Sequence, residues 1–281
     1  MAKAREARKK RRGSGKQRPG TEGSRGAPAG GEKPSGAREK EEPEKKRRPA
    51  AWSVPWLVEW AKTLVFAFLI FIVLRSFVVE SFVITSGSME KTLLVGDFLL
   101  VNKTVFGSSV PGTPWRVPGY SEPDRGEIVV FRADHAPGLD IVKRLVGKPG
   151  DTLSMVEGVL FVNGRPQTEP YVRHDPTVPD AYDRAMDWQR RYLVEGEGRE
   201  GDDGYSPTRD NWGPIVVPPE RFFMLGDNRE HSLDSRFWGF AERRKLKGKP
   251  FFVYYSYDKE ALKPFRFLTA ARLGRWGPFP P

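Results

Sequence analysis

The sequence predicts a mainly β domain that is attached to a membrane by a single N-terminal helix. Three observations support this fold class: one long apolar run near the start, a series of short β-branched and aromatic segments after it, and no helical periodicity of comparable strength among those segments. A chain of 281 residues leaves enough length, after a polar N-terminal region, for one substantial core.

The first 50 residues form a basic tail. They hold 17 Lys and Arg against 7 Asp and Glu, whereas the remaining residues are almost neutral and the whole chain carries a formal charge of +11. The tail is predicted to be disordered, because it has no hydrophobic periodicity and buries too little surface to offset the entropy of ordering. A nucleic-acid-binding domain would carry its basic surface on the fold itself, so no nucleic-acid partner is expected.

Residues 51–76 contain the predicted membrane anchor. The apolar run 56–74 forms a helix of about 1.5 Å per residue, which matches the roughly 30 Å hydrocarbon core of a bilayer. A buried helix of a soluble core is disfavoured because residues 63–74 are apolar on all faces. The long basic region before the run disfavours a cleaved signal sequence. By the positive-inside rule the tail stays in the cytoplasm, and everything after Arg75 lies on the outer side.

Eight segments after the anchor have the composition of strands, and Gly, Pro or Asp separates them. We predict that residues 77–262 form one domain with an irregular insertion at 166–219, which is rich in Pro, Gly, Asp and Arg. Residues 263–281 form a tail that either lies on the membrane surface or packs on the domain. In chain order the predicted strands are 77–84, 98–104, 127–131, 141–146, 152–155, 159–162, 221–225 and 250–257.

The stretch 85–97 places two serines on either side of Gly87. A hydroxyl on a tight turn that contains glycine is free of steric cover and can be presented to a substrate. Ser-Gly-Ser is also a common flexible linker, which is the alternative interpretation. The apolar residues that follow, Met89 and Leu93 among them, favour a structured turn between strands.

A serine hydroxyl needs a base to become a good nucleophile. The chain has no cysteine, which excludes disulfides and thiolate sites, and its three histidines, His135, His174 and His231, have no acidic partner or second metal ligand at a recognisable spacing. Lys143 lies inside an apolar strand, where burial would lower its pKa and favour the neutral amine. The alternative is a lysine on the solvent-facing side of the strand.

The densest polar cluster of the folded part is the loop at 224–236, which follows a hydrophobic strand. Asp227, Asp234 and Arg236 are predicted to form a buried ion-pair network that fixes this loop and orients a catalytic pair. The alternative is a polar surface turn, since Asp, Asn and Arg are ordinary turn residues.

These blocks, in this order behind an anchor, resemble the bacterial type I signal peptidases, which are membrane-anchored serine proteases that remove signal peptides from exported proteins. The resemblance runs from Trp56 to about Asp258 and is weakest over the insertion. Three motifs carry it: Ser86-Gly87-Ser88-Met89 with Thr92-Leu93 and Gly96-Asp97; residues 125–131 with Lys143-Arg144 and residues 147–151; and residues 226–229 with Ser232, residues 234–236 and Trp238-Gly239.

The resemblance implies an antiparallel β-sheet peptidase domain with Ser88 as the nucleophile and Lys143 as the general base. It implies that the Ser86 hydroxyl and the Ser88 amide form the oxyanion hole, and that no metal or cofactor takes part. Ser232 would orient the lysine, with Asp227, Asp234 and Arg236 supporting its loop. The residues implied to line two shallow apolar substrate pockets are Phe82, Ile84, Met89, Leu93, Val130 and Val142.

The family resemblance also implies the partners and the cellular location of the chain. Its partners would be signal-peptide-bearing pre-proteins and the lipid bilayer, and its location the inner membrane of a bacterium, crossed once, with the catalytic domain on the outer side. The sequence departs from the family pattern at Lys91 and Thr85, where proline is frequent, and at Glu230-His231, where Asp-Asn is usual. None of these departures removes a proposed catalytic group.

The sequence leaves two other classes of function open. The chain can be an anchored β domain that binds a partner without catalysis, or the basic tail can be the functional part that tethers nucleic acid or anionic lipid to the membrane. Covalent labelling of Ser88 and deletion of residues 1–50 distinguish these functions from that of a peptidase.

Overall fold

The computed structural model of the chain describes residues 54–109, 113, 115–133, 138–194 and 204–279. The predicted disordered tail at 1–50 lies outside the described residues, as do His135 and part of the 166–219 insertion.

The predicted apolar helix is present as α1 (Val54–Phe77), two or three residues longer at each end than the run identified in the sequence. Within the described part of the chain it is the one helix whose length and composition allow it to cross a membrane. Its first half contains two charged residues, Glu59 and Lys62, which form an ion pair over 3.0 Å on one helix face. The pairing reduces the cost of placing these charges near the end of an apolar helix.

All eight predicted strands are present, with ends that differ by a few residues, and the fold is mainly β as predicted. Two four-residue helices follow later in the chain, α2 (Ser235–Trp238) and α3 (Arg266–Thr269). In chain order the strands are β1 (Val79–Val83), β2 (Asp97–Asn102), β3 (Ser108–Ser109), β4 (Arg116–Val117), β5 (Ile128–Arg132), β6 (Asp140–Gly147), β7 (Thr152–Val156), β8 (Val159–Val162), β9 (Arg165–Pro166), β10 (Trp212–Val216), β11 (Arg221–Leu225), β12 (Ala241–Glu242), β13 (Leu246–Ser256) and β14 (Gly277–Pro278).

The strands form two larger sheets and one small ribbon, and all their pairings are antiparallel. The main sheet has the order β1-β2-β13-β5-β6-β11-β12, and β14 pairs with β13. A four-stranded sheet has the order β10-β7-β8-β9, and β3 pairs with β4. Because β1 is an edge strand, one row of its backbone N–H and C=O groups has no partner in the sheet.

The segment predicted as an irregular insertion contains ordered elements that the sequence analysis did not assign. A 3₁₀ helix spans Arg184–Tyr192, and the Asp183 side chain accepts a hydrogen bond from the Ala185 amide at its start. β10 pairs with β7 and extends the four-stranded sheet. Gly213 and Pro214 lie inside β10, and a register shift between Trp212 and Ile215 accommodates them.

The C-terminal segment packs on the domain through specific contacts. β14 pairs with β13, and the Arg275 guanidinium lies 2.6 Å from the buried Asp97 carboxylate. Arg272 also donates a hydrogen bond to the carbonyl of Val95 over 3.0 Å. Phe265 nevertheless remains 82% exposed. The segment therefore contacts the main sheet without burying all its aromatic side chains.

Successive side chains of β11 point to opposite faces of the sheet and so belong to separate core clusters. Phe223 and Leu225 face the four-stranded sheet, where they pack with Leu153 and Leu160, whereas Phe222 and Met224 belong to a cluster on the other side. A third cluster lies at the β1 and β2 end of the main sheet and contains residues that follow β1, Met89 and Leu93 among them. This third cluster lies directly beneath the turn that carries Ser88.

Candidate active site

Ser88 lies on a single 3₁₀ turn, Gly87–Met89, which begins four residues after the last residue of β1, Val83. Ser86 precedes the turn in extended conformation, with φ −126° and ψ 154°, and its hydroxyl oxygen lies 3.4 Å from that of Ser88. Ser88 is 8% exposed, whereas Ser86 is exposed. The stretch is a structured turn and not a linker, because Met89 and Leu93 are buried in the core beneath it.

Asn228 fixes the backbone of this turn. Its amide N–H donates to the carbonyl of Ser88 over 3.1 Å, and its side-chain Nδ2 donates to the carbonyl of Gly87 over 3.1 Å. The two acceptors belong to the two peptide units on either side of the Ser88 Cα, and the first of these units also contains the Ser88 N–H. The loop that begins at Gly226 therefore determines the orientation of the turn.

Lys143 lies in the middle of β6, opposite Val129 of β5, and is only 4% exposed. β6 packs against the Gly87–Met89 turn. Burial lowers the pKa of the Lys143 ammonium to about 8, although the nearby Asp234 and Asp227 carboxylates act in the opposite direction. A large fraction of this amine is neutral at mildly alkaline pH, which is the state a general base requires.

Asp234 and Arg236 form an ion pair in the interior, and both side chains are 0% exposed. Two 2.8 Å contacts join the carboxylate to the guanidinium, and Asp234 also accepts a hydrogen bond from the Gly226 amide over 3.1 Å. Burial is the largest single influence on Asp234 and would raise its pKa. The charge and hydrogen bonds of Arg236, the charge of Lys143 and the hydrogen bond from the Gly226 amide together outweigh burial and hold this pKa below its ordinary value. The loop is thus a buried structure and not a polar surface turn.

Asp227 does not join the Asp234–Arg236 pair, contrary to the prediction from the sequence. It receives two hydrogen bonds from Arg144, at 2.8 and 2.6 Å, and a third from the Thr92 hydroxyl over 2.5 Å. The predicted single network is therefore two separate ion pairs. The physical reason is that Arg144 follows Lys143 in β6, which is paired with β11, and its guanidinium reaches the loop that follows β11.

Ser232 lies where the loop approaches the proposed nucleophile. Its side chain is buried, and within the described part of the chain its hydroxyl has no hydrogen-bond partner. Gly226 lies close to both Ser232 and Ser88: a Cβ on this residue would lie 2.1 Å from the Ser232 hydroxyl oxygen and 2.5 Å from the Ser88 carbonyl oxygen. Only glycine allows the three segments to approach this closely.

The six residues expected to line substrate pockets all belong to the apolar cluster beneath the Ser88 turn. Phe82 and Val142 are partly exposed at its edge, whereas Ile84 and the remaining three are buried. The partly exposed pair lies on β1 and β6, on either side of the site. The cluster comprises Phe82, Ile84, Met89, Leu93, Val130 and Val142 together with core residues of β2, β5 and β13.

Several residues of the site were not singled out in the sequence. Asn228, Thr92 and Arg144 contact either the Ser88 turn or Asp227, and each lies within a motif that was identified only as a whole. His174 and His231, for which the sequence shows no acidic partner at a recognisable spacing, are half-exposed and lie 3.1 Å from Glu230 and Asp175 respectively. The spacing of these residues in the sequence gives no indication of such contacts.

The antiparallel β fold packs the turn that carries Ser88 against β6, the strand of the buried Lys143. The family model described as "Signal peptidase, peptidase S26" matches residues 57–255. The chain belongs to this family.

Individual relatives agree with the family model. The chain is 37% identical over 217 residues to signal peptidase I of Pseudomonas aeruginosa, which covers 72% of this chain and 74% of that protein. It is 31% identical over 204 residues to signal peptidase I S of Bacillus subtilis, covering 72% of this chain and 91% of that one. A crystal structure of a signal peptidase I from Enterococcus faecalis is 26% identical, covers 46% of this chain and 97% of that structure, and has a TM-score of 0.31.

Proposed function

We propose that this chain removes signal peptides from exported pre-proteins, with Ser88 as the nucleophile and Lys143 as the general base. The observation that carries the proposal is the buried amine of Lys143, whose pKa is lowered to about 8, on a strand packed against the turn of Ser88. The names of the relatives, which are signal peptidases, supply the substrate class.

The proposed reaction proceeds through an acyl-enzyme. The Ser88 oxygen attacks the scissile carbonyl carbon while its proton passes to the neutral Lys143 amine, and the resulting oxyanion accepts hydrogen bonds from the Ser86 hydroxyl and the Ser88 amide. The C–N bond then breaks as Lys143 returns the proton to the leaving amine. Water attacks the ester, again with Lys143 as base, and the Ser88 oxygen leaves with the proton.

Substrate binding in this proposal uses the free edge of β1. The segment before the cleavage site pairs with β1 as an added strand, because the unpartnered backbone groups of an edge strand bind extended peptides. Small side chains at the first and third residues before the scissile bond enter the apolar cluster near Phe82, Ile84 and Val142. Alternate residues of a strand face the same side, which fits two pockets on one face.

The anchor in this proposal is α1, which holds the site at the membrane face. The basic tail at 1–50 stays in the cytoplasm and the domain after α1 lies on the outer side of a bacterial inner membrane. Signal peptides end near this face, so anchoring raises the effective concentration of the site at the bond to be cut.

The decisive experiment incubates the detergent-solubilised full chain with a pre-protein and sequences the new N-terminus of the product. Wild type should cut once, after a small residue. Ser88→Ala and Lys143→Ala should stay folded and lose cleavage, because each removes one partner of the proton transfer. Lys148→Ala, which removes a half-exposed lysine that pairs with Asp124, serves as the matched control and should cut at the wild-type rate.

Two further measurements exclude the alternative functions. A serine-reactive acylating inhibitor should label Ser88; an unlabelled Ser88 in folded protein would indicate a binding domain without catalysis. Deletion of residues 1–50 should leave cleavage in detergent intact, since the tail has only a topological role in this proposal. Loss of all function on that deletion would assign the function to the tail.

A further inference from the structure

Residues 169–175 contact both the residues that follow the Ser88 turn and the loop 226–236, and we name this segment the strap. It belongs to the stretch predicted as an irregular insertion. No residue of the strap was assigned a role from the sequence.

The strap contacts the Ser88 turn through two residues that directly follow Met89. The Lys91 amine donates to the strap carbonyls of Pro170 and Val172 over 2.5 and 3.1 Å. The Glu90 carboxylate lies 2.6 Å from the Arg173 guanidinium. These contacts are two and three residues away from the proposed nucleophile.

The strap contacts the loop through its backbone and through a buried ion pair. The Arg173 amide donates to the Asp227 carbonyl over 2.7 Å, and the Arg229 amide donates back to the Arg173 carbonyl over 3.2 Å. The Arg229 guanidinium lies 2.7 Å from the Glu169 carboxylate; the arginine side chain is buried and the glutamate side chain is 9% exposed. The strap is therefore fixed on the loop side by interactions that solvent screens little.

Two further pairs join the strap to the loop at the positions where the sequence departs from the family pattern. His174 lies 3.1 Å from Glu230, and Asp175 lies 3.1 Å from His231. Each departing loop residue thus has a partner in the strap. This reciprocal pairing indicates that the strap and the loop form one unit in this chain.

Lys91 has an unusual backbone conformation. Its φ is 86°, a left-handed conformation that is costly for a residue with a side chain and that proline, with φ fixed near −65°, does not adopt. The next residue, Thr92, donates to Asp227. The strained residue therefore lies between the Ser88 turn and the ion pair of Asp227, and the strap carbonyls hold its side chain.

We propose that the strap is a positioning element for the active site, and that Lys91 and Arg173 are positioning residues that hold the Ser88 turn in place relative to Lys143. The proposal rests on the function proposed above. Neither residue contacts the reacting groups; both act through the orientation of the turn. Small displacements of a reacting group cost on the order of 10²-fold in rate, so exposed contacts beside the turn can matter for catalysis while contributing little to stability.

The test compares Lys91→Met, Lys91→Arg and Arg173→Gln in the detergent-solubilised full chain, with a peptide that spans a signal-peptide cleavage site. Met keeps the length of the side chain and removes the donor, whereas Arg can still donate to two carbonyls. Two control variants are matched in exposure and pairing: Lys148→Met removes a half-exposed lysine from Asp124, and Arg221→Gln removes an arginine 3.1 Å from Glu242.

We expect Lys91→Met and Arg173→Gln to lower kcat by about 10-fold or more with KM changed by less than about twofold, because the turn is misplaced while the substrate strand still binds. Lys91→Arg should recover most of the loss, and both controls should match wild type. The midpoint of thermal unfolding should stay within about 3 °C in all variants.

Three results would overturn the positioning role. The first is an unchanged kcat in Lys91→Met and Arg173→Gln, and the second is a rise in KM at constant kcat. The third is a loss of activity that accompanies a lower unfolding midpoint and that Lys91→Arg does not reverse. The proposed function is tested separately, by cleavage and Ser88 labelling of the wild-type chain. A wild-type chain that neither cuts the peptide nor is labelled at Ser88 is not such a peptidase, and the positioning role then falls with that function.

Discussion

Gly226 has no room for a side chain, because a Cβ at this position would lie 2.1 Å from the hydroxyl oxygen of Ser232. The same Cβ would lie 2.5 Å from the carbonyl oxygen of Ser88, so it would push the loop and the turn apart. The close approach of these two segments is what places Asn228 within hydrogen-bond distance of the Ser88 turn.

We therefore predict that Gly226→Ala lowers the cleavage rate by about 10²-fold, because the Ser88 turn moves relative to Lys143. Overpacking of a buried position should also reduce the free energy of unfolding by about 1–3 kcal/mol. Gly274→Ala is the control, since nothing lies within 4 Å of a Cβ there. Initial rates and thermal unfolding of both variants check the prediction, and a fully active Gly226→Ala would contradict it.

The cleavage rate should depend on pH through Lys143. Burial lowers the pKa of its ammonium to about 8, and only the neutral amine can accept the Ser88 proton. We expect kcat/KM for a good peptide substrate to rise with pH and to reach half its maximum near pH 8. A profile already flat between pH 5 and pH 7 would rule out Lys143 as the base of the free enzyme.

The free energy of unfolding should also depend on pH through the same residue. The folded chain releases the Lys143 proton near pH 8, whereas the unfolded chain keeps it until about pH 10.4. Between these values the unfolded state binds more protons, so stability rises with pH, by up to about 3 kcal/mol. Denaturant unfolding of wild type and Lys143→Met at pH 7 and pH 10 measures the contribution, because only wild type contains it.

Ser86 is expected to act in the transition state, since its hydroxyl lies 3.4 Å from that of Ser88 on an extended and exposed residue. Ser86→Ala should lower kcat by about 10²-fold to 10³-fold with little change in KM, as for other single donors to an oxyanion. Ser86→Thr keeps the hydroxyl and should retain more activity than Ser86→Ala. Equal kcat for Ser86→Ala and wild type would remove Ser86 from the oxyanion hole.

The sequence predicted the strands and the apolar cluster well because both depend on local patterns. β-branched and aromatic segments such as the one that became β6 are buried on both sides in the sheet, and their composition reflects that burial. The six expected pocket residues come from four separate segments and meet in one cluster, although β2 and β13 lie between β1 and β5 in the main sheet.

The sequence could not predict which charges pair, because pairing depends on strand register and on long-range loop contacts. Asp227 and Asp234 look equivalent in the sequence, yet one pairs with Arg144 from β6 and the other with its neighbour Arg236. β10 was missed because Gly213 and Pro214 are typical of turns, and only the pairing with β7 makes this segment a strand. The strap could not be predicted because its contacts with Lys91, Asp227 and Arg229 join residues that are distant in sequence.

The buried Asp234–Arg236 pair should affect both stability and the pH profile. Asp234→Asn leaves the fully buried Arg236 without its counter-charge, so the free energy of unfolding should fall by about 3–5 kcal/mol. Asp234 also raises the pKa of Lys143, and Arg236 lowers it. The fraction of Asp234→Asn that remains folded at low temperature should therefore show its half-maximal kcat/KM at a lower pH than wild type.

Lys148→Gln, which breaks the half-exposed pair with Asp124, is the control. It should change the free energy of unfolding by less than about 1 kcal/mol and leave the pH profile of kcat/KM unchanged. A profile for Asp234→Asn that stays in place, or moves to higher pH, would show that this carboxylate does not act on the lysine.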